Sequence, residues 1–196
     1  TLFTTVGGAG QILGMMVIYP LLRNKLSNTA IFKTSLIMAI TGYMCLLLSC
    51  ITNLAHVLPL LCAIGLLVFV SNGMLSVLTT VFLSSSVDYG EMKTGRREES
   101  VIFSMQTFVV KAASGLAVFM TGIGLDWIHL NGNSEDGIPV AQSASTITGL
   151  RCLMTILPSI GLLVALVVFQ KKFQLTDTKA EEIAKALSEI KQCSGK

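Results

Sequence analysis

Residues 101–125 read VIFSMQTFVVKAASGLAVFMTGIGL, an apolar run whose only charge, Lys111, stands near its centre. About 20 predominantly apolar residues in helical conformation cross the hydrocarbon of a bilayer, so this stretch is long enough to span one. A spanning strand needs only about half that length and alternates in polarity; this run does neither. The ammonium group is the anomaly. At mid-depth it is costly in lipid, and a lysine there is expected to face a bundle interior or a water-filled path.

Four further runs have the same character: Leu2 to Leu22, Thr34 to Leu54, Val57 to Ser84, and Ile147 to Phe169. Over the 196 residues, 52% are hydrophobic and 13% charged, and the mean hydropathy is +0.72. That apolar excess suits lipid rather than a water-soluble domain of this size. The expected fold is an all-α membrane protein: a five-span bundle over residues 1–173 and a tail over residues 174–196. In the tail, Thr178 and Glu181 have capping-box spacing, and Ile183, Leu187 and Ile190 recur at helical spacing, which predicts a short cytoplasmic amphipathic helix. The chain opens on Thr1 inside an apolar stretch, so a piece of a longer protein is expected.

The connections carry a topology signal. Arg23, Lys25 and Lys33 follow the first run, Lys93, Arg96 and Arg97 the third, and Lys171 and Lys172 the fifth. The second and fourth connections hold no Lys or Arg; the charges of the fourth are Asp126, Glu135 and Asp136. By the positive-inside rule the basic connections and the C-terminus are expected in the cytoplasm. The basic excess of +3 is therefore a topology signal, and no nucleic-acid partner is expected. Residues Asn131 to Ser145, rich in Gly, Ser and Asn, read as an external loop.

Five cysteines without CxxC spacing and two histidines, His56 and His129, offer neither a metal site nor a His-based catalytic pair. No HExxH or GxSxG is present, so an enzyme is not expected. Gly10 and Gly14 form a GxxxG pair in a glycine-rich first run, which serves close helix packing or permits rocking of a helix that faces a path.

At about 100° per residue, Ser100, Ser104, Thr107, Ser114, Gly115 and Gly122 fall within roughly 60° of Lys111, one polar stripe suited to the wall of an aqueous path. A buried cation wants an anion, yet no run has an interior Asp or Glu. Its partner is expected in a part of the protein beyond these residues. Arg151, at the outer end of the fifth run, could anchor at the interface or pair with Asp126 as an external gate.

The stretch Asp88-Tyr89-Gly90-Glu91-Met92-Lys93-Thr94-Gly95-Arg96-Arg97, with Glu99, Phe103-Ser104, Gln106-Thr107 and Lys111 at fixed offsets, resembles the glycoside-pentoside-hexuronide cation symporters. These are of the major facilitator type, and melibiose permease is among them. The resemblance runs over essentially the whole chain; Pro20 before basic residues and the Gly149, Arg151, Pro158 arrangement add to it. It implies that the five runs are the last five of twelve helices and that the N-terminal six-helix half is a partner. The implied protein is a multi-pass inner-membrane symporter that moves a glycoside or related sugar with Na+ or H+ by alternating access. The ion's carboxylate ligands would lie in that N-terminal half, and no other cofactor is implied.

Carried over by position, Lys111 matches the family's intramembrane lysine where sugar and cation sites meet. Gln106 and Thr107 match sugar-site positions, although the helical wheel sets Gln106 off the polar stripe. Asp88, Tyr89, Gly90 and Glu91 match the signature of the family's cytoplasmic loop, expected with Arg97 to gate or to join the halves. Ser76 stands where the permease has a stacking tryptophan, which leaves the sugar open. The alternative is a truncated, non-transporting membrane fragment.

Overall fold

The computed structural model describes residues 2–52, 58–128, 143–172, 179–183 and 185–187, and all the regular structure among them is helical. The expected loop over Asn131–Ser145 lies almost wholly outside these residues, as do Thr178 and Ile190 of the tail. The helices are α1 (Leu2–Leu13), α2 (Tyr19–Arg23), α3 (Asn28–Ile51), α4 (Leu58–Thr94), α5 (Glu99–Trp127) and α6 (Ala144–Lys172). A π-helical turn, Gly14–Ile18, joins α1 to α2, so the first span is one rod with a widened turn. Among the described residues, five helical stretches are long and apolar enough to cross a membrane.

Several ends fall beyond the apolar runs, each for a local reason. Ser27 caps α3 by accepting a hydrogen bond from the Ala30 N–H at 3.3 Å, which starts the helix at polar Asn28 rather than at Thr34. α4 passes the expected end at Ser84 and runs through Asp88–Thr94, because polarity there rises without a proline and the single Gly90 is tolerated within the helix. Gly95 ends it: with φ +71 it takes the left-handed conformation open to glycine, and its N–H bonds the Glu91 carbonyl at 2.8 Å. The Asp88-to-Glu91 signature is therefore the last helical turns of α4, not a loop.

α4 is the central helix. α1 and α3 pack on it, α6 packs on α3, and α5 touches α4 and α6 only lightly. The α1–α4 contact runs backbone against backbone. A Cβ on Gly14 would lie 2.5 Å from the Val70 carbonyl oxygen, and one on Gly73 would collide with the Gln11 carbonyl oxygen. Gly7 and Gly10 face Phe69 and Leu66. Where lipid supplies no hydrophobic drive between helices, this proximity is what holds them. Behind it, Ile31, Met74 and Leu78 form a buried core, and Tyr19 Oη donates to Asn28 Oδ1 at 3.2 Å.

Three ring contacts fix the ends. Phe32 near the start of α3, Phe82 towards the end of α4 and Phe169 near the end of α6 pack with centroids 4.4–5.8 Å apart. The basic residues after the first, third and fifth spans thus share one end of the bundle. Residues 179–183 and 185–187 are helical at that same end, where Ile183 and Leu187 are buried and Arg23 pairs with Glu181 at 3.4 Å.

Candidate functional site

Lys111 is the thirteenth residue of α5, which at 1.5 Å per residue puts it about 18 Å from the first residue of the helix and about 24 Å from the last. It is exposed, as is every residue from Thr107 to Ile123. Among the described residues it makes no ion pair.

The contacts of α5 establish which way it faces. Near its start, Ile102, Met105, Gln106, Val109 and Val110 line an open crevice of about 400 Å³ against Thr79, Leu83 and Ser86 of α4. Near its end, Gly124 abuts Leu153 of α6, and Thr146 Oγ1 donates to the Ile128 carbonyl at 3.2 Å. Gln106 and Gly124 both lie about 140° from Lys111 in the same sense. One face of α5 therefore meets the bundle, and the Lys111 face turns away from α4 and α6. A Cβ at Gly115 or Gly122, on the Lys111 face, would meet nothing within 4 Å.

The expected site residues accordingly divide. Ser104, Thr107 and Ser114 share the open face with Lys111, and Gln106 lies across the helix from them in the crevice. Each of those three hydroxyls donates inward, Ser104 to Val101, Thr107 to Phe103 and Ser114 to Val110, all at 2.9 Å. With the proton committed to the backbone, what each oxygen offers outward is lone pairs. The face thus combines hydrogen-bond acceptors with one ammonium donor of three hydrogens. Such a surface suits hydroxyl-bearing or anionic groups and is ill-suited to hydrocarbon.

At the basic end, Arg97 gathers the signature. Its Nη1 donates to Glu91 Oε2 at 2.9 Å and to Asp88 Oδ1 at 3.2 Å, while its Nε donates to Glu99 Oε2 at 3.2 Å. Asp88 and Glu91 come from α4 and Glu99 from the first turn of α5, so one guanidinium ties the two helices across the turn. The hydrogen bonds Arg97 donates to Glu91 and then to Glu99 raise its pKa. Tyr89 and Gly90 stand on the same turns without joining this cluster, and nothing within 4 Å would meet a Cβ at Gly90. At the opposite end, Asp126 is exposed, Arg151 is half-buried, and no ion pair joins them.

Sequence reasoning passed over two carboxamides, Gln11 in α1 and Asn72 in α4, both half-buried at membrane depth. A single amide hardly moves the mean hydropathy of an apolar run. The signal that could have found them was residue type at mid-span, the same signal that singled out Lys111.

The family described as MFS/sugar transport protein matches residues 1–177. The uncharacterized symporter YjmB of Bacillus subtilis (strain 168) is 32% identical over 110 residues, covering 56% of this chain and 23% of that protein. The inner membrane symporter YicJ of Escherichia coli (strain K12) is 26% identical over 195 residues, 97% of this chain and 39% of that protein. A lactose permease of Lactobacillus delbrueckii subsp. bulgaricus is 30% identical over 124 residues, 61% of this chain and 18% of that protein. The chain thus matches well under half the length of each of these relatives. With the family match extending from the first span past the last, this multi-pass chain belongs to the MFS/sugar transport protein family.

Proposed function

We propose that the chain is the C-terminal part of a symporter that moves a glycoside or related sugar together with Na+ or H+ by alternating access. The observation that carries this reading is a lysine at mid-depth on a face of α5 that is lined with hydroxyls and turned away from the helices of its own bundle. A lipid-facing surface has no use for that stripe, whereas a water-filled path between two halves of a transporter does. The family match and the lactose permease relative agree with a sugar as cargo.

In this mechanism the Lys111 ammonium donates to sugar hydroxyls or to a carboxylate of the N-terminal half, and Ser104, Thr107 and Ser114 accept. A coupling ion bound to carboxylates of that half, beside Lys111, stabilises the state with higher sugar affinity. Coupling is then a difference in affinity between states, reciprocal for ion and sugar. The basic end, with the Arg97 cluster, is the cytoplasmic end of an inner-membrane protein. At that end the cluster holds α4 and α5 together while the path opens and closes.

The test is sugar accumulation by the full-length transporter. Lys111→Ala is expected to abolish concentrative uptake while the protein remains in the membrane. Accumulation kinetics unchanged by the substitution would remove Lys111 from the site.

A further inference from the structure

Each of α1, α4 and α5 carries one carboxamide in its apolar interior: Gln11, Asn72 and Gln106. The carboxamides of α3 and α6, Asn28 and Gln170, sit at helix ends. Of these, Gln106 lines the crevice between α4 and α5.

Gln11 and Asn72 flank a single backbone crossing. The Gln11 carbonyl oxygen occupies the space a Cβ on Gly73 would need, and Asn72 precedes that glycine. The contacts of Phe3 with Gly65, Gly7 with Phe69, and Gly14 with Val70 show that α1 and α4 run parallel. Measured from this interface at about 100° per residue, Gln11 departs by about 70° and Asn72 by about 110° in the opposite sense. For parallel facing helices, opposite senses mean the same side. On α4 that side is the sector of Thr79, Leu83 and Ser86, which line the crevice with α5. Ser76 falls between Asn72 and Thr79 on the same sector.

Neither amide makes a hydrogen bond with any described residue, and no buried side-chain N or O among those residues lacks a partner. The two amides therefore keep polar atoms exposed on that side of the α1–α4 pair. Left against hydrocarbon, each would forfeit the hydrogen bonds of its donor and acceptor groups.

We infer that Gln11 and Asn72 form an uncharged subsite that binds hydroxyl groups of the transported sugar on the α1–α4 wall, a contact region separate from the Lys111 face of α5. A carboxamide donates and accepts at once, as a sugar hydroxyl does, and it places no demand on the charge of the ligand. With serine rather than an aromatic ring at position 76, recognition on this wall is by hydrogen bonding instead of stacking. The inference rests on the transport reading above.

The test measures uptake of lactose, methyl β-glucuronide and methyl β-xyloside by the full-length transporter in membrane vesicles, with Gln11→Met and Asn72→Leu. For a probe that is transported, each variant is expected to raise KM about tenfold. The maximal rate should stay near that of the unsubstituted protein, the split produced by losing binding common to ground and transition states. Unchanged KM in both variants overturns the subsite and leaves the transport reading standing. Where none of the three is carried, a wider panel of glycosides replaces them, and an unsubstituted protein that accumulates no glycoside under a Na+ or H+ gradient overturns the transport reading itself. Where an apolar variant is lost from the membrane, Asn72→Cys replaces it: its alkylation by a charged maleimide is expected to slow several-fold in the transported sugar, and an unaltered rate overturns the subsite.

Discussion

Arg97 shows what one side chain contributes that its neighbour does not. Arg96 and Arg97 carry the same charge on the same turn, yet Arg97 alone holds three carboxylates drawn from two helices. Its raised pKa keeps it cationic. The charge behind a raised value is lost only as pH climbs through it, so the guanidinium side of the cluster persists across the neutral range. The geometry needs a forked donor, and a lysine offers a single point charge. Arg97→Gln and Arg97→Lys are both expected to lower sugar accumulation, with Arg96→Gln close to the unsubstituted protein; equal effects at 96 and 97 would mean that only net charge matters at this end. The motif was legible as a string of residues. Its grouping was not, because Asp88 and Glu91 meet Arg97 only once α4 continues past its apolar part and Gly95 turns the chain back.

Among the helices, the α1–α4 pair is joined most intimately, and glycine is the reason. GxxxG spacing at Gly10 and Gly14 pointed to close packing; it could not name the partner or reveal Gly73 on the facing helix. A methyl group at Gly14 or Gly73 would have to displace backbone, while one at Gly8 meets open space. Gly14→Ala and Gly73→Ala are therefore expected to destabilise by about 1–3 kcal/mol each, the usual cost of overpacking. Gly8→Ala should be neutral or slightly stabilising, since alanine is the better helix former. Thermal unfolding midpoints in detergent decide this, and comparable losses at all three positions would contradict a backbone-contact interface. The same limit explains Gln106. A helical wheel put it off the Lys111 stripe, but only the crevice with α4 shows what it faces.

For the whole molecule, apolar length and the distribution of basic residues were enough to read five spans with basic connections after the first, third and fifth. Composition could not show which faces pair. In the structure α3 and α6 stand behind α4, α1 locks onto it through glycine, and α5 leans on the bundle by one face only. That arrangement turns the hydroxyls and the ammonium of α5 outward, and the proposed transport path depends on water and the second half of the protein lying there. Alkylation of single cysteines in the full-length transporter, with the native cysteines replaced, tests this most directly. Lys111→Cys is expected to react with a membrane-impermeant charged maleimide, and Ile160→Cys, 53% exposed on α6, is expected to stay unreactive in lipid. Thr94→Cys, reactive only from the cytoplasmic face, fixes the sidedness of the assay. A Lys111→Cys protein as inert as Ile160→Cys would place the lysine in hydrocarbon and contradict the account.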